Sequence, residues 1–285
     1  MRFAIATADK FDGVFGAFMT AGWQPLKLFT FSLEGRFQGN AVSAEAQKMG
    51  LPVQVSRLSE ADLAALADGG CEALIVANYR WRIGDWQKHM RYGVNFHPSP
   101  LPEGRGPWPL VQAIREGRRA WGVSCHRLTP EFDGGEILAQ ELFPMDENES
   151  HETLDLRCQM GMRRLGTRVA KDFVDLWKKA QPQDESKATY WKRGTTQDRL
   201  LDMKGSVDQA RRQINAFGML ECTAVVAGSI VFIRRAVAWR EAHGVAAGTL
   251  VHRNDRSLVF ALKDGYLGLL DWSLVPTDFE PRTGR

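Results

Sequence analysis

The sequence predicts an α/β fold in which a mostly parallel sheet is followed by a smaller, all-β part. Apolar strand-like runs alternate with helical patterns up to about residue 180, and several short strands with Gly-containing turns come after them. The chain has 285 residues, of which 44% are hydrophobic and 25% charged, and this length is enough for two unequal domains.

The alternating elements begin at the N-terminus. Continuous apolar strands separated by helices are typical of parallel strands that are covered on both faces. We predict strands at residues 3–7, 26–31, 53–55, 73–77, 93–96, 121–128 and 137–143, and helices at 14–21, 41–49, 59–67, 109–116 and 152–179. The last of these helices carries apolar residues at helical spacing, which indicates core packing.

A polar, Pro-containing stretch from Lys179 to Lys187 separates two regions of different composition, as domain boundaries often do. We therefore predict a first domain at 1–180, a linker at 181–189 and a second domain at 190–285. The second domain is expected to be a small, OB-like β-barrel, because its strands are short and joined by Gly and Asn-Asp turns. Its predicted elements are a helix at 207–217 and strands at 224–227, 230–237, 248–252, 258–262 and 266–273.

Composition argues against several classes of protein. The 37 Lys and Arg against 34 Asp and Glu give a net charge of +3, too small for a strong field toward nucleic acid. The four cysteines form no C-x-x-C pair, which argues against a zinc ribbon or another metal site and against a disulfide scaffold. We expect a cytoplasmic protein with no membrane partner, because the N-terminal apolar run is short and no segment has 18 uninterrupted apolar residues. The first strand is not followed by the G-x-G-x-x-G of a nicotinamide site.

An amide and an imidazole stand two residues apart where a predicted strand ends. Asn95 and His97 therefore leave the same face of the strand, at the carboxyl edge where parallel sheets bind ligands. Asp133 follows in a Gly-flanked turn. An amide, an imidazole and a carboxylate can stabilise an oxyanion, move a proton and orient the group that moves it. These residues predict acyl-transfer chemistry.

The motifs around these residues resemble the signature of the folate-dependent formyltransferases, and above all the methionyl-tRNA formyltransferases and the enzymes that formylate nucleotide-linked amino sugars. The motifs are Asn-Phe-His-Pro-Ser-Pro-Leu-Pro at 95–102, Gly-Arg-Gly at 104–106, Gly-Val-Ser-Cys-His at 122–126 and Phe-Asp-Gly-Gly at 132–135. Residues 188–217 are similar to the start of the C-terminal domain of that group. The resemblance implies a Rossmann-like formyltransferase domain in the first part of the chain.

The resemblance also implies a formyl donor, 10-formyltetrahydrofolate, and a catalytic set of Asn95, His97 and Asp133. Asn95 and a protonated His97 would hold the formyl oxygen, while Asp133 would orient His97 and take the amine proton. The residues expected to contact the folate are Tyr79, Trp81, Arg82, Pro130, Phe132 and Gly134, and those expected to contact the substrate are Ser99, Arg105 and Trp108. His126 is expected to be a structural histidine, with a substrate contact as the alternative.

Three functions fit these features. The first is formylation of a small primary amine, such as an amino sugar or an amino-acid-derived metabolite. The second is formylation of methionyl-tRNA, which the two-domain length favours and the short loop at 32–40 disfavours, since its one basic residue, Arg36, offers little to phosphates. The third is a folate-binding module without turnover, which the retention of all three catalytic positions disfavours. The segment 79–82 departs from the apolar, Gly-containing stretch usual in the family.

Overall fold

The computed structural model describes residues 1–31 and 41–277. The chain divides into two compact units. The first comprises Met1–Gly106, Trp121–Phe143 and Leu156–Tyr190, and the second comprises Pro107–Ala120, Pro144–Asp155 and, as far as it is described, Trp191–Arg285. By contacts, residues 181–189 therefore lie in the first unit, and the domain limits inferred from composition stay a prediction.

A seven-stranded sheet forms the centre of the first unit, with strand order β3-β2-β1-β4-β5-β6-β7. The strands β1 to β5 pair in parallel, and β6 runs antiparallel to β5. The predicted large, mostly parallel sheet is thereby confirmed. Its strands are β1 (Arg2–Thr7), β2 (Gln24–Phe29), β3 (Val53–Gln54), β4 (Ala73–Ala77), β5 (Tyr92–His97), β6 (Ala120–Arg127) and β7 (Ile137–Pro144).

The helices follow the predicted order. The hydroxyl of Ser59 and the carboxylate of Asp62 form a capping box that starts α3, a device that contributes about 1 kcal/mol to a helix. The helices are α1 (Asp12–Thr20), α2 (Ala41–Lys48), α3 (Glu60–Asp68), α4 (Pro109–Arg115), α5 (His151–Lys178) and α6 (Val207–Phe217). Among the described residues, no helix is both long enough and apolar enough to span a membrane.

Apolar side chains close both faces of the first sheet. All five residues of β4 are buried, as expected for a central parallel strand. On the α5 side, the indole N–H of Trp23 donates to the carbonyl of Ala170, and its ring packs edge-on against Phe173 and Phe18. This packing fixes the central strands, so the ends of β4 and β5 are rigid points from which loops can present functional groups.

The second unit contains a five-stranded antiparallel sheet with strand order β10-β11-β12-β9-β8. A small β-barrel was expected here from the sequence. Barrel closure is not confirmed, because β10 and β8 stand at opposite ends of this order and, within residues 41–277, are not paired. The strands are β8 (Cys222–Val226), β9 (Ser229–Arg240), β10 (Leu250–Arg253), β11 (Leu258–Leu262) and β12 (Gly265–Ser273).

Candidate active site

The end of β5 presents Asn95 and His97. The strand ends at His97, which is buried, and a Pro- and Gly-rich loop follows it. Gly104 in this loop has a φ of 75°, and a Cβ at this position would lie 3.0 Å from the Cβ of Ser99 and from the ring of Trp121. The loop can therefore return close to His97 only with glycine at this position.

Asp133 lies in a tight turn with a φ of 55°. Left-handed backbone is uncommon for a residue other than glycine and persists where neighbouring contacts enforce it. Two residues later, a Cβ on Gly135 would lie 2.0 Å from the carbonyl oxygen of Arg127. The turn thus packs its backbone directly against the end of β6, and the Asp133 carboxylate reaches the end of β5.

The structure brings the predicted set of Asn95, His97 and Asp133 together. The Nδ1 atom of His97 lies 3.4 Å from Oδ1 of Asp133, and Nδ2 of Asn95 donates to the same oxygen at 3.3 Å. The other carboxylate oxygen accepts the backbone N–H of Gly106 at 2.9 Å. One carboxylate therefore contacts both neighbouring side chains and the loop that follows β5.

His126 is a fourth member of this cluster. Its Nδ1 lies 2.8 Å from the carbonyl oxygen of Arg127, so in the neutral ring Nδ1 carries the proton and donates to that oxygen. Its Nε2 is then an acceptor, and it lies 3.1 Å from Nδ2 of Asn95 and 3.6 Å from Oδ1 of Asp133. The partners of His126 thus fix the direction in which the Asn95 amide points.

The two nitrogens of His97 have different surroundings. Nε2 lies 2.9 Å from the carbonyl oxygen of Gly104 and donates its proton there, so Nδ1 is the basic nitrogen. Burial lowers the pKa of the His97 imidazole, and this effect exceeds the opposite effects of Asp133 and of the Gly104 carbonyl. The ring is therefore mainly neutral near pH 7. Burial in the loop was not visible in the sequence, and the expected role of a protonated His97 stays a prediction.

Asp133 stays ionised. Burial raises the pKa of its carboxyl, but the imidazoles of His97 and His126 and the N–H of Gly106 lower it further, so that the pKa lies well below its ordinary value. A neutral imidazole beside a carboxylate can take up a proton and hold it as an ion pair. The site therefore contains a base, a charge that stabilises the protonated base, and an amide donor.

The two segments expected to contact folate are joined to each other. A guanidinium N–H of Arg82 donates to the carbonyl oxygen of Pro130 at 2.6 Å, and the guanidinium lies over the ring of Phe132. Phe132 is 57% exposed. Gly134, the last of the six expected residues, has room beside it, because a Cβ added there would lie 3.4 Å from its nearest neighbour, the Cβ of Glu131.

Tyr79 and Trp81 lie in an aromatic cluster at the end of β4. The Tyr79 hydroxyl accepts the N–H of Leu58, and its ring packs edge-on against Trp81. Trp81 packs in turn against Phe31. The hydroxyl of Tyr79 thus holds the backbone at Leu58. The Trp81 ring lies near the point between β1 and β4 where the strand order of the sheet reverses.

The structure gives different surroundings to the three residues expected to contact substrate. Ser99 is completely buried. The described hydrogen bonds of the Arg105 guanidinium are made to Gln183 and Glu185. Trp108 lies in the second unit, where its ring packs against Phe217 and under the guanidinium of Arg199. These contacts are those of structural residues, and direct substrate contact by the three stays a prediction.

Sequence reasoning missed the contribution of two residues. His126 was expected to be structural, with a substrate contact as the alternative; its pairing with Asn95 in the β5–β6 register, which brings it into the cluster, was not foreseen. Gln183 was placed in a linker, but its side chain contacts the Asp133 turn. No local signal marks either contact, because the first depends on the direction of β6 and the second joins residues that are distant in the sequence.

Within residues 1–31 and 41–277, there is no group of three or more His, Cys, Asp or Glu side chains that could hold a metal ion.

Residues 33–164 match the family model described as formyl transferase. This segment belongs to the formyl transferase family. The match includes Asn95, His97, His126 and Asp133, so the recognition made from the motifs is confirmed.

Two curated relatives of this segment are named methionyl-tRNA formyltransferase. The methionyl-tRNA formyltransferase of Treponema denticola is 36% identical over 125 residues, which are 44% of this chain and 39% of that protein. The methionyl-tRNA formyltransferase of Methylobacillus flagellatus is 29% identical over 191 residues, which are 64% of this chain and 61% of that protein. The chain thus spans less than two thirds of the length of these relatives.

Solved structures share the fold of this chain. An N-formyltransferase from Helicobacter canadensis, in complex with folinic acid and dTDP-3-aminofucose, is similar with a TM-score of 0.71 and 13% identity, covering 95% of this chain and 99% of that one. HypX from Aquifex aeolicus, in complex with tetrahydrofolic acid, is similar with a TM-score of 0.63 and 19% identity, covering 94% of this chain and 43% of that one. At these identities the likeness establishes a common fold.

Proposed function

We propose that this protein is an N-formyltransferase that moves the formyl group of 10-formyltetrahydrofolate to a primary amine of a small molecule, such as an amino sugar or an amino-acid-derived metabolite. The observation that carries the proposal is the meeting of Asn95, His97 and Asp133 at the carboxyl end of β5, inside a segment that matches the formyl transferase family. A cytoplasmic location is part of the proposal, and it agrees with four buried cysteines, none of which forms a disulfide.

In this proposal His97 is the general base. Its Nδ1 takes the proton that the amine loses as it attacks the formyl carbon, and general bases of this kind contribute about 100- to 10,000-fold to a rate. Asp133, 3.4 Å from Nδ1, then stabilises the imidazolium that forms. The Nε2–H of His97 stays on the Gly104 carbonyl and keeps the ring in the orientation that this transfer needs.

Asn95 is the donor to the formyl oxygen. One of its amide N–H groups is held by His126 at 3.1 Å, and the other reaches Asp133 at 3.3 Å. The second distance is longer than the 2.9–3.0 Å typical of a strong N–H···O bond. A formyl oxygen that gains negative charge can replace this longer contact, because its hydrogen bond to Asn95 strengthens as the charge develops.

The segments after β4 and around residue 130 fit a folate. The donor supplies an activated formyl group; as its C–N bond breaks, the nitrogen of the leaving tetrahydrofolate takes up the proton that His97 received from the amine. Arg82 joins the two segments, the exposed ring of Phe132 can cover a flat heterocycle, and Trp81 offers a second aromatic surface. Folate contact by Tyr79, Pro130 and Gly134 is proposed on position alone, since these residues belong to the same two segments.

A small amine is the favoured acceptor because the similar structure from Helicobacter canadensis holds an amino sugar nucleotide and covers almost the whole of both chains. Methionyl-tRNA is the second candidate, and the names of the curated relatives favour it. The short loop at 32–40, which argued against tRNA, lies outside the described residues.

The experiment measures tetrahydrofolate release from 10-formyltetrahydrofolate with two acceptor pools, a panel of small amines that includes amino sugar nucleotides, and charged methionyl-tRNA. His97→Ala is the inactive variant. His243→Ala is the matched control, because His243 lies in the second unit and its ring nitrogens bond to the Gly265 carbonyl and the Val245 N–H.

We expect release with a small amine in the wild type and in His243→Ala, and none in His97→Ala. Release with the tRNA alone would assign the acceptor to the second candidate. No release with either pool, together with tight folate binding, would support a binding module and contradict the proposed activity.

A further inference from the structure

Residues 181–190, here called the strap, connect the two loops that carry the active-site groups. At one end, Gln181 exchanges two backbone hydrogen bonds with Ile137, shortly after the Asp133 turn. At the other end, Thr189 bonds to Pro102, Gly104 and Arg105 in the loop after β5. The strap therefore lies beside both loops in the first unit, although its composition resembles that of a linker.

Gln183 is the centre of the strap. Its Nε2 donates to the carbonyl oxygens of Asp133 and Gly135, both at 2.7 Å. Its Oε1 accepts from Nε and Nη2 of Arg105 at 3.0 and 2.7 Å. One amide thus satisfies two carbonyl groups of the turn and is itself held in place by a guanidinium of the other loop.

Arg105 completes the connection. Its side chain is only 13% exposed, and besides Gln183 it binds both carboxylate oxygens of Glu185. A bidentate pair of this kind orients a guanidinium in one plane. The four N–H···O contacts described for this guanidinium are all made to the strap, so Arg105 supports the Asp133 turn through Gln183.

The Asp133 turn needs such support. Its left-handed φ of 55° costs free energy for a residue with a side chain, and the conformation persists only when the surrounding contacts favour it. The two bonds from Gln183 end on the carbonyl groups on either side of Gly134, where they oppose rotation of the turn. Loss of these bonds would move the Asp133 carboxylate, which His97 and Asn95 both contact.

We propose that Gln183 is a positioning residue of the active site: it holds the Asp133 turn, and through Asp133 it sets the geometry of His97 and Asn95. The catalytic part of this inference rests on the proposed function. The structural part, that Gln183 fixes the Asp133 carboxylate, does not depend on which reaction the site performs.

The first test measures amide hydrogen exchange by NMR without any substrate. The N–H of Gly106 donates to Oδ2 of Asp133, so its exchange reports whether the carboxylate is in place. In Gln183→Met we expect this exchange to rise by at least about fivefold, as for the loss of one hydrogen-bonded local contact. The N–H of Gly104, which Thr189 holds, is the internal reference and should change little.

Gln181→Met is the matched control. Gln181 belongs to the same strap, but its side chain donates to the carbonyl of Lys179 and not to the turn, so Gly106 exchange should equal that of the wild type. Gln183→Glu is the second variant, for the case that Gln183→Met does not fold. A glutamate keeps an acceptor for Arg105 and removes both donors to the turn, so it should also raise Gly106 exchange. Unchanged exchange in the folded Gln183 variants would overturn the proposal.

The second test measures steady-state kinetics of the same variants. We expect kcat of Gln183→Met to fall by about 10- to 100-fold with little change in KM, since small displacements of a catalytic group are costly in the chemical step. In an Asp133→Asn background the same substitution should cause no further loss, because Gln183 acts through Asp133. The catalytic part of the inference would be overturned if Gln183→Met lowered kcat as much in the Asp133→Asn background as in the wild type, or if Gln183→Met alone kept the wild-type kcat. Inactivity of the wild type would count against the proposed function alone, since the exchange test stands apart from it.

Discussion

Asn95 and His126 are direct partners across the antiparallel pair of β5 and β6, and Nδ2 of Asn95 lies 3.1 Å from Nε2 of His126. The carbonyl of Arg127 holds the opposite nitrogen of the imidazole. This chain of two contacts leaves the Asn95 amide one orientation, with its second N–H toward Asp133. The donor proposed for the formyl oxygen is therefore oriented before any substrate binds, which is the condition for efficient electrostatic stabilisation.

Replacement of His126 should lower the rate without removing a proposed catalytic group. In His126→Leu the Asn95 amide loses its acceptor, and we expect kcat to fall by about 10-fold or more, as for a partly misplaced catalytic donor. His126→Gln supplies an oxygen acceptor and should recover part of the loss. Steady-state kinetics and thermal unfolding of both variants provide the check, and equal kcat values in the wild type and His126→Leu would show that the contact has no role in turnover.

Asn95→Ala should have a larger effect. Removal of one oxyanion donor in other enzymes costs about 100- to 1,000-fold in kcat, and we expect a loss in this range here. Asn215→Ala is a matched control, because Asn215 lies on α6 in the second unit and its amide donates to the carbonyl of Asn148. The measurement is kcat together with the circular dichroism of each variant. A folded Asn95→Ala protein with more than about a tenth of the wild-type kcat would remove Asn95 from the proposed mechanism.

Phe132→Ala tests the proposed folate surface. An exposed ring that stacks on a heterocycle contributes about 0.5–1.5 kcal/mol, so KM for 10-formyltetrahydrofolate should rise by about 2- to 10-fold with kcat nearly unchanged. Leu142→Ala removes another exposed apolar side chain of the first unit and should leave KM unaltered. Phe132 has no place in the proposed folate site if both variants bind the donor as tightly as the wild type.

Two adjacent glycines of the Asp133 turn should differ sharply in their tolerance of a side chain. A Cβ on Gly135 would lie 2.0 Å from the Arg127 carbonyl oxygen, whereas at Gly134 the nearest atom is 3.4 Å away. We expect Gly135→Ala to lower the free energy of unfolding by about 1–3 kcal/mol or more, as overpacked sites do, and Gly134→Ala to lower it far less. Chemical denaturation of the two variants measures the difference, and similar stabilities would contradict the described packing of the turn against β6.

Local patterns predicted most of the secondary structure. The strand at 73–77, the helix at 207–217 and the strand at 258–262 have the predicted bounds, because burial of a continuous apolar run or of one helix face determines each of them. The direction of β6 was not predictable, since alternation indicates a strand but not its neighbour's orientation. The Asn95–His126 pair depends on that direction, and so it could not be read from the sequence.

The roles of Gln183 and Arg105 show a second limit. Local composition placed Gln183 in a linker, and its loop position predicted that Arg105 contacts the substrate, which stays a prediction. Their partnership joins residues 78 positions apart, and nothing in either neighbourhood encodes it. Asn95, His97 and Asp133 could be found because several motifs accompany them. Their convergence is observed, whereas their catalytic roles stay predictions.

The pH dependence of kcat/KM separates the two possible states of His97. Because burial lowers the pKa of His97 below its ordinary value of 6.5, and because the neutral ring is the proposed base, kcat/KM should rise with pH through a pKa below 6.5 and level off near neutral pH. The nearby Asp133 carboxylate favours the protonated ring, whereas His126 opposes it. Asp133→Asn removes the favourable charge, so the acidic limb should move to lower pH in this variant.

The direction in which kcat/KM changes with pH distinguishes the two roles of His97. If His97 acted instead as a protonated donor to the formyl oxygen, kcat/KM would fall as the pH rose through its pKa, and activity would be greatest in acid. Because kcat/KM reports the ionisation of the free enzyme, the profile can be compared with the pKa of His97 measured by NMR titration without substrate. A profile that falls between about pH 5 and pH 7, with the same midpoint as the NMR titration, would contradict the base role and support the protonated donor. A rising profile with that midpoint would support the neutral His97 imidazole as the group that receives the proton.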